Sequence, residues 1–257
     1  MTKRAQPAAR SQRGSQIAGI LEGHFGSPVK PGRRSNPLDT LIATLLSQNT
    51  NDQNSYRAWL SLRKRFPTWE KVASAPWRAL ATSIEVGGLK NQKALRIKRI
   101  LHSIHGETGK YDLRFLNSRS DDEAMEYLLS MKGVGRKTAS CVLVFSLGRE
   151  VFPVDTHIHR ICNRLGLVRT KSADQTYDAM KDIVPKGRAY SFHVNLIRFG
   201  RETCKANKPL CGTCPLFDEC MVPERHRLAA GTNIVRGVSN RRRDFLITEQ
   251  IVRDRAG

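Results

Sequence analysis

Lys137, Asp155 and a group of four cysteines have the residue types and spacing to do chemistry. Lys137 stands in Met131–Asp155, MKGVGRKTASCVLVFSLGREVFPVD, in the first turn of a helix that would follow Gly133-Val134-Gly135. Near the positive end of a helix dipole, a lysine amine is well placed to act as a nucleophile. Asp155 sits in VDTHIHR, where it would N-cap the next helix and have its carboxylate held by backbone N–H groups. Such an amine and fixed carboxylate can attack a sugar carbon and stabilise positive charge developing on it. Each has an ordinary alternative: a solvated surface charge for Lys137, a plain helix cap for Asp155. Cys204, Cys211, Cys214 and Cys220 follow C-x6-C-x2-C-x5-C, four thiols in one short loop that ask for a soft metal centre. Zinc is the first alternative, but its structural sites usually pair two knuckles and only one C-x2-C is present. Bacterial ferredoxins space their ligands more tightly.

The elements that must position these residues are helices. Ser120 and Glu123 have capping-box spacing, and Ala124, Leu128 and Met131 share one helical face before the glycine turn. Beyond it, Ala139, Val142, Leu143 and Ser146 give a second amphipathic helix that stops at Gly148. Helix, glycine turn, helix makes a helix–hairpin–helix. The backbone amides of Gly133, Val134 and Gly135, with Lys132 and Arg136 beside them, suit a nucleic-acid phosphate. Such a contact positions a duplex and reads no sequence. A plain helical connection is the alternative.

LLSMKGVGRKTASCVLVFSLG followed by VDTHIHRICNRLGL resembles the endonuclease III branch of the helix–hairpin–helix DNA glycosylases, and the likeness runs from about Ile17 to Pro223. The resemblance implies that Lys137 is the Schiff-base nucleophile and Asp155 the second catalytic residue. Related branches that excise adenine or mismatched thymine typically carry Ser or Tyr at the lysine position, so Lys137 favours the bifunctional type. It further implies a [4Fe–4S] cluster on Cys204, Cys211, Cys214 and Cys220, in a structural role. A base must be flipped out of the stack before its glycosidic bond can be reached. In the Gly87-Gly88-Leu89 turn, Leu89 matches the family's intercalating leucine, an apolar wedge between base steps. A loop leucine covering core is the rival reading. The family's void-filling Gln would fall in Leu45-Leu46-Ser47-Gln48-Asn49, where Gln48 comes one position early and Asn49 takes the expected place. Which of the two enters the duplex is left open. Phe199 precedes Gly200-Arg201 where relatives often carry His.

No segment of useful length alternates with period two, so the chain reads as all-α. Asn36-Pro37 starts a helix with a buried stripe at Leu38, Leu41, Ile42, Leu45 and Leu46. Asp52 is expected to cap the next, a long basic helix spans Asn91–His105, and Ser172 with Gln175 suggests another capping box. The resemblance implies a two-lobed glycosylase fold: a six-helix barrel domain over 30–149, and an iron–sulfur cluster domain built from 14–29 and 150–223. The DNA cleft would lie between them, with Lys137 on one wall and Asp155 on the other. Residues 1–13 read as a flexible basic leader and 224–257 as a basic tail.

The 257 residues carry 44 Lys and Arg against 23 Asp and Glu, a net charge of +21, which points to a polyanion and above all to nucleic acid. No apolar run approaches the ~18 residues of a membrane span. The polar start has no h-region, so secretion is not expected, and a disordered basic arm is preferred there over an organellar transit peptide. Six cysteines without a secretory signal argue for metal or free thiols, with Cys141 and Cys162 as core residues. The expected protein is therefore a monomeric base-excision-repair glycosylase with abasic-site lyase activity. Its partner would be double-stranded DNA containing damaged pyrimidines or abasic sites, with no membrane involved. It would be cytoplasmic in a prokaryote, nuclear or organellar in a eukaryote. The alternatives are a monofunctional uracil or thymine mismatch glycosylase and a non-catalytic iron–sulfur DNA-binding protein. Lys137 and Asp155 together speak against the last, because docking needs neither.

Overall fold

The computed structural model describes residues 7–28 and 36–231, and among these residues there are helices, turns and loops but no strand. The helices are α1 (Pro7–Phe25), α2 (Pro37–Leu46), α3 (Asp52–Arg65), α4 (Trp69–Ser74), α5 (Trp77–Ser83), α6 (Lys90–Thr108), α7 (Asp121–Ser130), α8 (Arg136–Cys141), α9 (Thr156–Arg164), α10 (Ala173–Met180), α11 (Ala189–Glu202) and α12 (Arg225–Ala230). The described residues form two compact units, one of 36–149 and one of 7–28 with 150–231.

The first unit is arranged around α2, whose ten residues are all buried. Its start is local chemistry: Pro37 is pre-set for the first turn, and Asn36 Oδ1 accepts from the Leu38 N–H at 3.0 Å. α2 packs against α3, α6 and α8. A buried helix must satisfy its polar side chains internally, and Thr40 Oγ1 does so by accepting from Ser146 Oγ at 2.7 Å. Ser146 ends a π-helical turn, Val142–Ser146, that continues α8. The second helix of the hairpin is thus not the one-faced amphipathic helix expected: every residue from Thr138 to Ser146 is buried. α3 is capped by Asn51, whose Oδ1 accepts from Asn54 N at 2.8 Å, and not by Asp52. Asp52 is instead the first helical residue, where its charge faces the positive end of the dipole. The capping box of α7 is present in both directions between Ser120 and Glu123.

In the second unit, α1 begins at Pro7, so residues 7–13 belong to a helix rather than to a flexible leader. Composition hides this because the partners are distant in sequence. Arg10 donates to Leu167 O at 3.4 Å and Arg13 to Glu219 O at 3.0 Å, while Ile17 and Leu21 are buried. Further along, Glu22 pairs with Arg188 and accepts from Ser191 Oγ at 3.0 Å; the Arg188 hydrogen bond holds its carboxyl below the usual range. α11 carries the fully buried Phe192 and Phe199 and packs on α1 and α9. Close approach to α9 requires Gly200, since a Cβ there would stand 2.9 Å from Ile161 Cδ1 and 3.1 Å from His157 Cβ. At α10, Ser172 caps as expected, but Gln175 Oε1 accepts from Lys171 N, so the capping box is only half made. α12 gives the start of the basic tail a short helix. Residues 1–6 of the leader and 232–257 of the tail lie outside the described residues.

Candidate functional site

In the first unit the site begins at the hairpin. Gly133 takes φ +95°, Val134 N donates back to Met131 O at 3.0 Å, and Gly135 is the N-cap of α8 without offering a side-chain acceptor. The first turn of α8 thus receives no side-chain cap from Gly135. Val134 is buried and contributes through its backbone, while Gly133 and Gly135 are exposed and Arg136 and Lys137 half-buried. Lys137 occupies the second position of α8, and its neighbour Thr138 is buried. Gly133 also permits a close contact: a Cβ there would fall 2.4 Å from Nε of Arg96.

Two further turns lie in the same unit. Leu89 adopts φ +46°, a left-handed conformation uncommon for a leucine, and is 46% exposed. It is not a loop leucine covering core. Asn49 likewise takes φ +52° and is exposed. The turns are neighbours, because a Cβ on Gly88 would lie 4.0 Å from Asn49 O. Gln48, by contrast, is held within the unit: its Nε2 donates to Thr138 Oγ1 at 3.3 Å and its Oε1 accepts from Arg96 Nη1 at 2.8 Å.

One residue here went unremarked in the sequence. Lys93 is 3% exposed, and its ammonium donates to Leu46 O at 2.8 Å and to Gly87 O at 2.7 Å. Burial, with repulsion from Arg96, lowers it to about 8. A signal existed: Lys93, Ile97, Ile100 and Ile104 follow helical spacing, so a lysine stands on the apolar stripe of α6.

In the second unit Asp155 caps α9 as expected, its Oδ1 accepting from Ile158 N at 2.8 Å. His157 is lowered by burial, against the pull of the Asp155 charge, and Arg160 and Arg201 lower it further. The far end of α9 grips the cysteine loop. Arg160 Nη2 donates to Cys204 O at 2.8 Å, and Arg164 donates to Lys205 O at 2.7 Å, Ala206 O at 3.1 Å and Cys204 Sγ at 3.4 Å. The sequence offered a cue for this too, two arginines four residues apart on the helix that follows Asp155.

Cys204, Cys211, Cys214 and Cys220 all line one cavity of about 60 Å³, walled by Leu165, Phe199, Leu210 and Leu216. Phe199, which precedes the Gly200-Arg201 pair, is thus a wall of this cavity. Burial pushes the Cys214 thiol up to about 12, and the other three cysteines add to the rise; Cys211 is raised by burial first and then by Cys220 and Cys204. Among the described residues no three Cys, His, Asp or Glu side chains form a metal-ligating group. The donor set nonetheless fits a soft, thiolate-binding centre. Four sulfur donors around one apolar cavity are the ligand set that such a centre takes.

The HhH-GPD superfamily of base excision DNA repair proteins matches residues 42–186. Endonuclease III of Thermotoga maritima is 36% identical over 188 residues, 73% of this chain and 84% of that protein. An Arabidopsis thaliana protein named as a DNA glycosylase is 39% identical over 173 residues, 66% of this chain, and the chain spans only 59% of its length. Among solved structures, a non-covalent complex of endonuclease III with DNA is similar with a TM-score of 0.71 and 29% identity, covering 84% of this chain and 97% of that one.

Proposed function

We propose that this chain, which belongs to the HhH-GPD superfamily of base excision DNA repair proteins and within it to the endonuclease III family, is a bifunctional DNA glycosylase and abasic-site lyase for oxidised pyrimidines in double-stranded DNA. The observation that carries the lyase half is a lysine, Lys137, in the first turn of the hairpin's second helix, directly after the glycine turn that ends at Gly135.

In this reading the hairpin amides and basic surface hold phosphates, and Leu89 and Asn49 fill the space left when the damaged nucleotide leaves the stack. The Lys137 amine attacks C1′ of the sugar as the C1′–N bond breaks and its electron pair leaves with the base. Asp155 stabilises the positive charge that builds on the sugar meanwhile. The amine loses a proton and the sugar ring opens, leaving a Schiff base. Removal of a proton from C2′ then expels the 3′ phosphate with the C–O bonding pair, and water releases the sugar from Lys137.

The four cysteines would hold a [4Fe–4S] cluster, which would cross-link residues 204–220 and supply no step of the reaction. Arg160 and Arg164 brace that loop on α9, the helix that Asp155 caps.

The test is a panel of duplexes, each with one lesion, incubated with the pure protein. Release of oxidised pyrimidines with strand cleavage 3′ to the lesion is expected. Release of uracil or thymine from mismatches without cleavage would point to the monofunctional alternative.

A further inference from the structure

We propose that Lys93 is a positioning residue for duplex opening: its ammonium fastens together the two turns that carry Asn49 and Leu89. This rests on the reading of those two side chains as the ones that enter the duplex.

The joint is built from carbonyls at the ends of two helical elements. Leu46 is the last residue of α2, and its carbonyl is one of the four that a helix leaves without an internal partner. Three residues later stands Asn49. Gly87 ends the short 3₁₀ turn Glu85–Gly87, and two residues later stands Leu89. Lys93 Nζ donates to both carbonyls, at 2.8 Å and 2.7 Å, and so sets the spacing between the roots of the two turns. The fit is close on the other side as well, because a Cβ on Gly87 would stand 3.1 Å from Ala58 Cβ and 4.0 Å from Lys93 Nζ.

Such a clasp has a physical purpose. Both turns hold a non-glycine residue at positive φ: Asn49 at +52°, which asparagine tolerates, and Leu89 at +46°, which for a leucine persists only where surroundings enforce it. A wedge also works only if its position is fixed before it meets the stack, since otherwise the force of opening is spent on moving the loop. Arg96, one turn along α6, pins the side chain of Gln48 and contacts the Gly133 turn, which leaves Asn49 as the outward residue of its turn. A buried lysine is an expensive way to hold two loops together if the chain needs only stability, because desolvating its charge is costly.

Lys93→Met removes the donor and keeps the length and the apolar stem. Three quantities are read: single-turnover base excision, single-turnover cleavage of a pre-formed abasic duplex, and 2-aminopurine fluorescence opposite an abasic-site analogue as a report of unstacking. Excision should fall by about 10–100-fold, a modest part of the cost of flipping, with the unstacking signal lost in parallel. Cleavage at an abasic site, where there is no base to unstack, should fall far less. In a Leu89→Ala background the same substitution should add little, because its effect passes through the wedge. Gly87→Ala, which presses on the joint from the opposite side, should reproduce the pattern, and it serves if Lys93→Met does not fold.

Equal losses on the lesion and abasic duplexes, or full additivity with Leu89→Ala, would overturn the proposal. Should the wild type excise no lesion at all, the glycosylase reading fails on its own. The 2-aminopurine signal, which needs no chemistry, then decides for Lys93: its loss in the variant supports the clasp, and an equal signal in both proteins refutes it.

Discussion

The guanidinium of Arg96 donates to Oε1 of Gln48 at 2.8 Å, and this contact turns the Gln48 side chain away from the tip of its own turn. The amide end of the same side chain reaches Thr138 Oγ1 at 3.3 Å, so Gln48 links α6 to the helix that carries Lys137. Gln48→Ala should therefore cost stability, about 1–2 kcal/mol for two lost hydrogen bonds at a partly buried site. Asn49→Gly, which keeps the positive φ at an exposed position, should leave the melting temperature nearly unchanged and weaken the enzyme's preference for the base opposite the lesion. Thermal melts and excision rates against each opposite base check both; a stable Gln48→Ala with altered preference would reverse the assignment.

Lys137 should form the covalent intermediate. Borohydride added during reaction with an abasic duplex should trap a protein–DNA adduct in the wild type and none in Lys137→Gln. Trapping at the wild-type level in that variant would move the nucleophile elsewhere.

Asp155 offers a way to separate cap from charge. Asp155→Asn keeps an oxygen for the Ile158 N–H and so preserves the start of α9. Base excision should nevertheless drop by about 10²–10³-fold, the range for one electrostatic or acid–base group. A pre-formed abasic site opens to an aldehyde that meets the amine without passing through the charged sugar, so its cleavage should suffer clearly less. Single-turnover rates on the two duplexes give the answer, and equal losses would reduce Asp155 to a helper of Lys137 or a cap.

The cysteine loop should yield a yellow-brown protein with about four irons per chain, as four thiolate ligands to one cluster require. Cys214→Ser should lose iron and visible absorbance and loosen the loop that Arg164 grips. One zinc per chain with no absorbance would refute the cluster.

Lys93 also makes a pH prediction. Its ammonium is held at about 8 in the folded chain, while in the unfolded chain it titrates near 10.5. Between those values the unfolded state binds more protons, so this group makes stability rise with pH across that window. Below pH 8 the burden of the buried charge is present in full. Relative to Lys93→Met, the wild type should gain on the order of 1–3 kcal/mol from pH 8 to 10.5, read by urea unfolding. Tyr127, raised to about 12, acts in the opposite direction at high pH in both proteins and cancels in the difference. A flat difference would mean that burial does not shift Lys93.

What the sequence determined by itself was local. Asn36 and Pro37 start α2, Ser120 and Glu123 box the start of α7, and Asp155 caps α9, because each of these acts on backbone within three residues of itself. The glycine turn before Lys137 and the C-x6-C-x2-C-x5-C spacing are legible for the same reason. Tertiary structure decided what depends on partners far along the chain. Residues 7–13 are helical rather than a flexible leader because Arg10 and Arg13 find carbonyls more than 150 residues away. Asn49 rather than Gln48 faces outward because Arg96 and Thr138 claim the glutamine. Lys93, which composition would place in solvent, is buried because the ends of α2 and of the Glu85–Gly87 turn leave their carbonyls within its reach. A hydrogen-bond donor's worth is set by the acceptors that folding brings to it, and no spacing rule along one helix names an acceptor 47 residues away.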